Sequence, residues 1–179
     1  MKKALLAALA LAGLGLVAGP VQAAGVVQGA GAKTNADGSV TAGSAAAVKG
    51  PAGGAAAHAG ATTADGAGNS KTATAGAAKG PGGAKGARAG QTTRSADGSA
   101  QHKSGMAAQG AAGGKVASQG TASKDGAGNA NAARSTSATS KTGASYDGNT
   151  QVNKQSGQSS VSHTSTCKNA AGQEVPCAK

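Results

Sequence analysis

The chain has 179 residues, 32 of them Gly, with one Tyr and no Phe or Trp, and its 17 Lys and Arg against 6 Asp and Glu give a formal net charge of +11. The 38% hydrophobic fraction is mostly Ala, so a conventional globular core is excluded. With it goes an enzyme site, which needs side chains held by packed neighbours.

At the N-terminus, Lys2 and Lys3 precede an uncharged Ala/Leu/Gly run, Ala4 to Ala18. Gly19 and Pro20 break it, and Val21-Gln22-Ala23 places small residues at the −3 and −1 positions of a cleavage site. Residues 1–23 are therefore predicted to be a signal peptide cut after Ala23. The rival reading is a membrane anchor, but the apolar run falls short of the ~20 residues that span a bilayer. No Cys follows the run, so no lipid anchor is expected. The protein is expected to be exported, to the periplasm, cell surface or extracellular space, with no membrane span after cleavage.

Residues 24–179 carry 15 Lys and Arg (17 less the two of the leader) against 6 acids, a formal +9. No Leu, Ile, Phe or Trp occurs after Ala24; the large apolar side chains are eight Val, Met106 and Tyr146. Two states fit this composition: an all-β repeat array held by backbone hydrogen bonds, or a largely disordered solvated chain.

Residues 24–130 are internally repetitive. Lys49-Gly50-Pro51-Ala52-Gly53-Gly54 recurs as Lys79-Gly80-Pro81-Gly82-Gly83, and weakly as Gln109-Gly110-Ala111-Ala112-Gly113-Gly114. Ala59-Gly60-Ala61-Thr62-Thr63 matches Ala89-Gly90-Gln91-Thr92-Thr93 at the same spacing of 30. Between these lie Asp37-Gly38, Asp65-Gly66, Asp97-Gly98 and Asp125-Gly126, followed later by Asp147-Gly148; together they use every Asp. Asp-Gly suits a two-residue hairpin turn, because both residues tolerate positive φ. The roughly ten-residue segments between turns, such as Lys115 to Ser123 and Asn69 to Ala75, read as strands. The expected fold is stacked β-hairpins of about 30 residues per unit, sharing a thin layer because one hairpin alone is unstable in water. The Asp-Gly spacings alternate 28, 32, 28, which predicts either turns that absorb a two-residue slip or a loosely registered array. Irregular Gly spacing and four Pro exclude collagen.

Residues 131–166 are Ser/Thr-rich and read either as a flexible linker or as a last hairpin closed at Tyr146-Asp147-Gly148-Asn149. Residues 167–179 form a tail in which Cys167 and Cys177, the only cysteines, are predicted to pair in an oxidising compartment. An intermolecular bridge is the alternative, and two thiolates with His163 are too few for a closed zinc site.

The mature chain has no nucleophile elbow and no phosphate loop. Its single Glu is Glu174, and His58, His102 and His163 are far apart in sequence. No enzyme activity, cofactor, metal or small-molecule substrate is expected. Lys and Arg recur along the whole array, from Lys33 and Lys49 through Arg88 and Lys115 to Lys154, and read first as solubilising and edge-protecting.

The Gly-Pro-x-Gly turns (Gly50 to Gly53, Gly80 to Gly83), the five Asp-Gly pairs and the Cys167–Cys177 tail resemble those of uncharacterised secreted bacterial proteins of this layout. In style the chain is also similar to curli-type subunits, although Ala, Ser, Thr and Lys stand where those carry Gln/Asn ladders. The resemblance implies an exported structural or adhesive repeat protein of the bacterial envelope or extracellular matrix that self-associates. The other reading is a disordered cationic chain binding anionic polymers such as extracellular DNA, lipopolysaccharide or acidic polysaccharide. A third, a Thr-rich surface that binds ice, lacks regular Thr-x-Thr ranks.

Overall fold

The computed structural model describes residues 25–177; the leader reading of residues 1–23 lies outside them. The described chain folds into strands alone: β1 (Gly25–Thr34), β2 (Val40–Lys49), β3 (Ala55–Ala64), β4 (Ser70–Lys79), β5 (Lys85–Arg94), β6 (Ala100–Gln109), β7 (Lys115–Lys124), β8 (Ala130–Thr139), β9 (Ser145–Gln155), β10 (Gln158–Lys168) and the short β11 (Glu174–Val175). They form one open antiparallel sheet in which spatial order equals chain order. Each strand touches only its chain neighbours.

No hydrophobic residue among those described is buried, and the buried polar ones are Ser39 and Ser118. This is the structural form of a sequence with no large aliphatic side chains to sandwich between layers. Order comes instead from an unbroken ladder of backbone hydrogen bonds, in which Lys49 faces Ala55 and Val40 faces Ala64 with no slip between. Small cross-strand pairs add to it. Thr41 and Thr63 hydroxyls meet at 2.9 Å, as do Thr62 and Thr72, contacts of the kind worth roughly 0.2–1 kcal/mol each.

The turns set the register. In each five-residue connection the first residue's N–H donates to the fifth residue's carbonyl; in all but Asp65–Asn69, the fourth residue's N–H also donates to the first residue's carbonyl. That pattern is a type I turn followed by a left-handed residue, the three-residue hairpin loop with a glycine bulge, rather than the two-residue turn expected from Asp-Gly. Pro51 and Pro81 occupy the position where a preset φ favours such a turn. The left-handed residue is always Gly: Gly38, Gly53, Gly68, Gly83, Gly98, Gly113, Gly128 and Gly143, with φ between +81° and +97° and fifteen residues from each to the next. The repeat is thus strand plus turn, half the length of the sequence unit.

This resolves the alternating Asp-Gly spacing. Asp37-Gly38 and Asp97-Gly98 supply the third and fourth turn residues, whereas Asp65-Gly66 and Asp125-Gly126 supply the first and second. The aspartate moves within its turn while the strands keep perfect register.

Asp147 and Gly148 lie inside β9 and form no turn. The turn before β9 is Ser140–Ala144, which keeps the fifteen-residue beat with Gly143. Gly148 has another use: the Tyr146 ring lies over it, and a Cβ there would run into the hydroxyl. An aromatic covering a strand glycine is a recognised way to stabilise one. The Ser/Thr-rich stretch continues the same sheet as β8, β9 and β10.

Left-handed geometry costs a non-Gly residue roughly 1–2 kcal/mol. Gly83→Ala, at φ +89° with free space around it, is therefore expected to destabilise the protein by about 1 kcal/mol in urea titration. Gly29→Ala, in open space within β1 and without positive φ, is expected to be neutral or stabilising by up to about 1 kcal/mol.

Candidate interaction surface

Alternation along each strand combined with the printed register gives the sheet two unlike faces. Residues paired in line with Val26, Val48, Ala56 and Ala78 share one face, which continues through Val116 to Tyr146 and Cys167. The same face carries His58, Arg88 and Met106 in one row and Arg134, Thr150 and His163 in another. The sequence-distant histidines thus share a face but not a site. His102 and His163 each hydrogen-bond a cross-strand threonine, Thr92 and Thr150, at 2.8 Å. Ser118 is the one knot of polar order here: its Oγ donates to the Ser135 carbonyl and accepts from Arg134 Nε, both at 3.0 Å.

The opposite face carries small side chains over most of its strands. Val27, Ala47, Ala57, Ala77, Ala87, Ala107 and Ala117 form one row across seven strands. Beside it runs a row with Lys49, Lys79, Lys85 and Lys115, all exposed, on β2, β4, β5 and β7. A shallow depression of about 390 Å³ lies between Lys49 and Lys79, floored by Val27, Ala47, Ala57 and Ala77.

The two ends of the strands differ electrically. Asp37, Asp65, Asp97 and Asp125 all lie in turns at one end, near Lys33, Lys71, Arg94 and Lys124. The Gly-Pro end holds the lysine row, with Lys141 in a turn and Lys168 at the end of β10; the acids there are Glu174, paired with Lys168 across β10 and β11, and Asp147 in β9, in line with the alanine row. Cations that look evenly scattered along the chain are therefore gathered into a row by the register.

The aspartates do local work. Asp37 Oδ1 accepts from the Ser39 amide at 3.0 Å and from its hydroxyl at 2.7 Å. Asp65 accepts from the Ala67 and Asn69 amides and from the Asn69 side chain, and Asp125 repeats this with Ala127 and Asn129. Neighbouring turns are also tied: Asn69 Oδ1 accepts from the Ala96 amide at 2.9 Å, and Asn129 Oδ1 from the Ser156 amide at 3.2 Å. At Gly126 a side chain would strike the Asp97 carbonyl, so this glycine is needed for close approach.

Asn169 plays the aspartate's part in the last turn, where the Asn and Gly between the two cysteines point to a reversal. Its Oδ1 accepts from the Ala171 and Gln173 amides, both at 3.0 Å. The signal was present as Asn169-Ala170-Ala171-Gly172-Gln173, the form of Asp125-Gly126-Ala127-Gly128-Asn129 with amides for acid and amide. Cys167 and Cys177 are bridged, with Cα atoms 5.3 Å apart, and the bridge fastens β11 to the end of β10. Closing so short a loop stabilises by about 2–4 kcal/mol. Comparison with protein-family models, curated proteins and solved structures returned no match.

Hydrogen bonds hold four carboxyls below the ordinary value of 3.8: those from the side chains of Ser39, Asn69 and Asn129 at Asp37, Asp65 and Asp125, and from the Ser99 amide at Asp97. A carboxyl whose folded pKa is depressed contributes stability above its unfolded pKa and loses it as pH falls through the folded one. The melting temperature is therefore expected to be flat near neutrality and to drop below about pH 4. In D37N/D65N/D97N/D125N that acid limb should flatten in a pH series of thermal melts.

Proposed function

We propose that this is an exported, non-enzymatic structural component of the bacterial envelope or extracellular matrix, which assembles by edge-to-edge addition of its sheet and gives that layer an adhesive surface. The observation that carries the reading is the pair of open edges. Among the described residues no strand pairs with the outer side of β1, and β11 covers β10 only at Cys167 and Lys168. A long, flat, exposed edge strand is a template for another chain. The β1 edge carries one charge, Lys33, and exposes Val26 at 69%.

Strand parity favours head-to-tail addition. β1 and β10 are separated by an even number of antiparallel steps plus one, so they run in opposite directions. The β1 of a second copy laid beside β10 continues the antiparallel meander with both faces unchanged. A heterologous contact of this kind, repeated, gives an open filament rather than a closed ring. The disulfide-held β11 blocks only the Gly-Pro end of that edge.

The purified protein is expected to form filaments above a critical concentration, seen by electron microscopy and sedimentation. Val26→Lys with Ala30→Lys, which charges the β1 edge, is expected to raise that concentration more than tenfold, equivalent to about 1.4 kcal/mol, while the β circular dichroism signal persists. A protein that stays monomeric at every concentration, or a charged-edge variant that assembles as the parent does, would refute the reading.

A further inference from the structure

We propose that Lys49, Lys79, Lys85 and Lys115 form a binding row for an extended acidic polysaccharide, whose carboxylates lie across the strands at the Gly-Pro end. The inference goes beyond the assembly reading and does not rest on it, since a single copy carries the whole row.

The first argument is placement. Lysine protects sheet edges, yet these four stand on β2, β4, β5 and β7, all internal strands with partners on both sides. The edge strands β1 and β10 carry only Lys33 and Lys168. Edge protection therefore does not account for the row.

The second is local cost. Lys79 sits directly opposite Lys85, and like charges opposite each other in a sheet are destabilising. The connecting turn, Gly80-Pro81-Gly82-Gly83-Ala84, holds no acid to offset them. At the other end every turn between β1 and β8 contains an Asp. A sequence that relieves its charges at one end and concentrates them at the other breaks a local rule, and such breaks mark functional positions.

The third is shape. From Lys49 to Lys115 the row crosses five strand spacings, roughly 24 Å measured from strand to strand, with no slip in register between them. The adjoining row is Ala apart from Val27 over these strands, so the lysines stand beside a floor of small side chains, with Gln109 between Lys85 and Lys115 in their own row. An extended polyanion with a negative group on successive units fits such a line.

The choice among polyanions follows from what this face lacks. Single-stranded nucleic acid is held by bases stacked on aromatic rings, but Tyr146 lies on the opposite face. Arg, which grips phosphate with two hydrogen bonds, is also confined to that opposite face at Arg88, Arg94 and Arg134. An anionic membrane would be anchored by inserted apolar side chains, and in the two rows the only one larger than Ala is Val27. Lys is a point charge, suited to carboxylates spaced along a sugar chain.

The test uses the purified protein with its disulfide intact and immobilised polygalacturonate as the probe, across a salt series. Binding is expected at low salt. K49Q/K79Q/K85Q/K115Q is expected to weaken it at least tenfold and to cut the slope of log affinity against log salt by about 3, at roughly 0.7 per charge for a single-stranded polyanion. K33Q/K71Q/K103Q/K124Q removes the same charge elsewhere and is expected to change affinity less than about threefold. Circular dichroism confirms that both variants fold; should the row variant not, Lys79→Gln and Lys115→Gln singly must each lower the slope. The proposal is overturned if the parent ignores polygalacturonate at low salt, or if both quadruple variants lose affinity equally. It is also overturned if single-stranded DNA, or vesicles containing phosphatidylglycerol, bind more tightly than polygalacturonate through the same four lysines.

Discussion

The structure depends on one backbone event, a glycine entering the left-handed region every fifteenth residue. Gly38, Gly53, Gly68, Gly83, Gly98, Gly113, Gly128 and Gly143 each stand fourth in a five-residue connection, which closes as a three-residue loop with a bulge in all but Asp65–Asn69. The bulge returns the chain antiparallel to itself, in fixed register. In most sheets register is enforced by a buried hydrophobic face, because a one-residue slip would turn that face to water. Here no hydrophobic residue among those described is buried, and a slip would cost little in burial. Turn geometry has to do what packing does elsewhere, and it can, because every connection from β1 to β9 has the same length.

That constraint explains the composition. Strands whose register is set by their ends can accept almost any small side chain between them, and Ala, Gly, Ser and Thr fill these. Specific contacts are correspondingly sparse: the paired threonines Thr41–Thr63 and Thr62–Thr72, and the Ser118–Arg134 bond. The aspartates reinforce the turns rather than the sheet, by hydrogen-bonding the amides that the reversal leaves free. Asn169 serves as well as Asp125 in the same position, so the requirement is for an acceptor and not for a charge.

Much of the architecture was legible in the chain. The Lys49, Lys79 and Gln109 starts gave the hairpin unit, and the Cys167–Cys177 bridge and the strands around Lys115 followed from local pattern. What was not legible shares one cause. Asp-Gly is a turn signal only when the glycine lands on the fifteen-residue beat or the aspartate opens the turn. Asp147-Gly148 does neither, and its glycine makes room for Tyr146 instead. The alternating spacing of the aspartates looked like slippage because it was measured from the aspartate rather than from Gly38, Gly68, Gly98 and Gly128. The lysine row was hidden for the same reason. Lys49, Lys79, Lys85 and Lys115 are unevenly spaced in sequence, and only exact knowledge of where each turn begins shows that they stand side by side.

A sheet without an interior has only two kinds of distinctive surface, its edges and its rows, and the two proposals take one each. They also meet geometrically. If β1 of one copy continues from β10 of another, the faces carry over unchanged, and the lysine rows of successive copies share one face and one end of the strands, offset by the length that β11 covers at Cys167 and Lys168. Four charges hold a polyanion weakly and in a salt-sensitive way. A line of such rows engages one long polysaccharide many times, and each further contact becomes intramolecular, which raises avidity without any new chemistry. The polymer in turn would screen the net positive charge that opposes assembly, and within each copy the Lys79–Lys85 repulsion. Assembly and polysaccharide binding would then favour each other through linkage, each ligand of the sheet lowering the cost of the other.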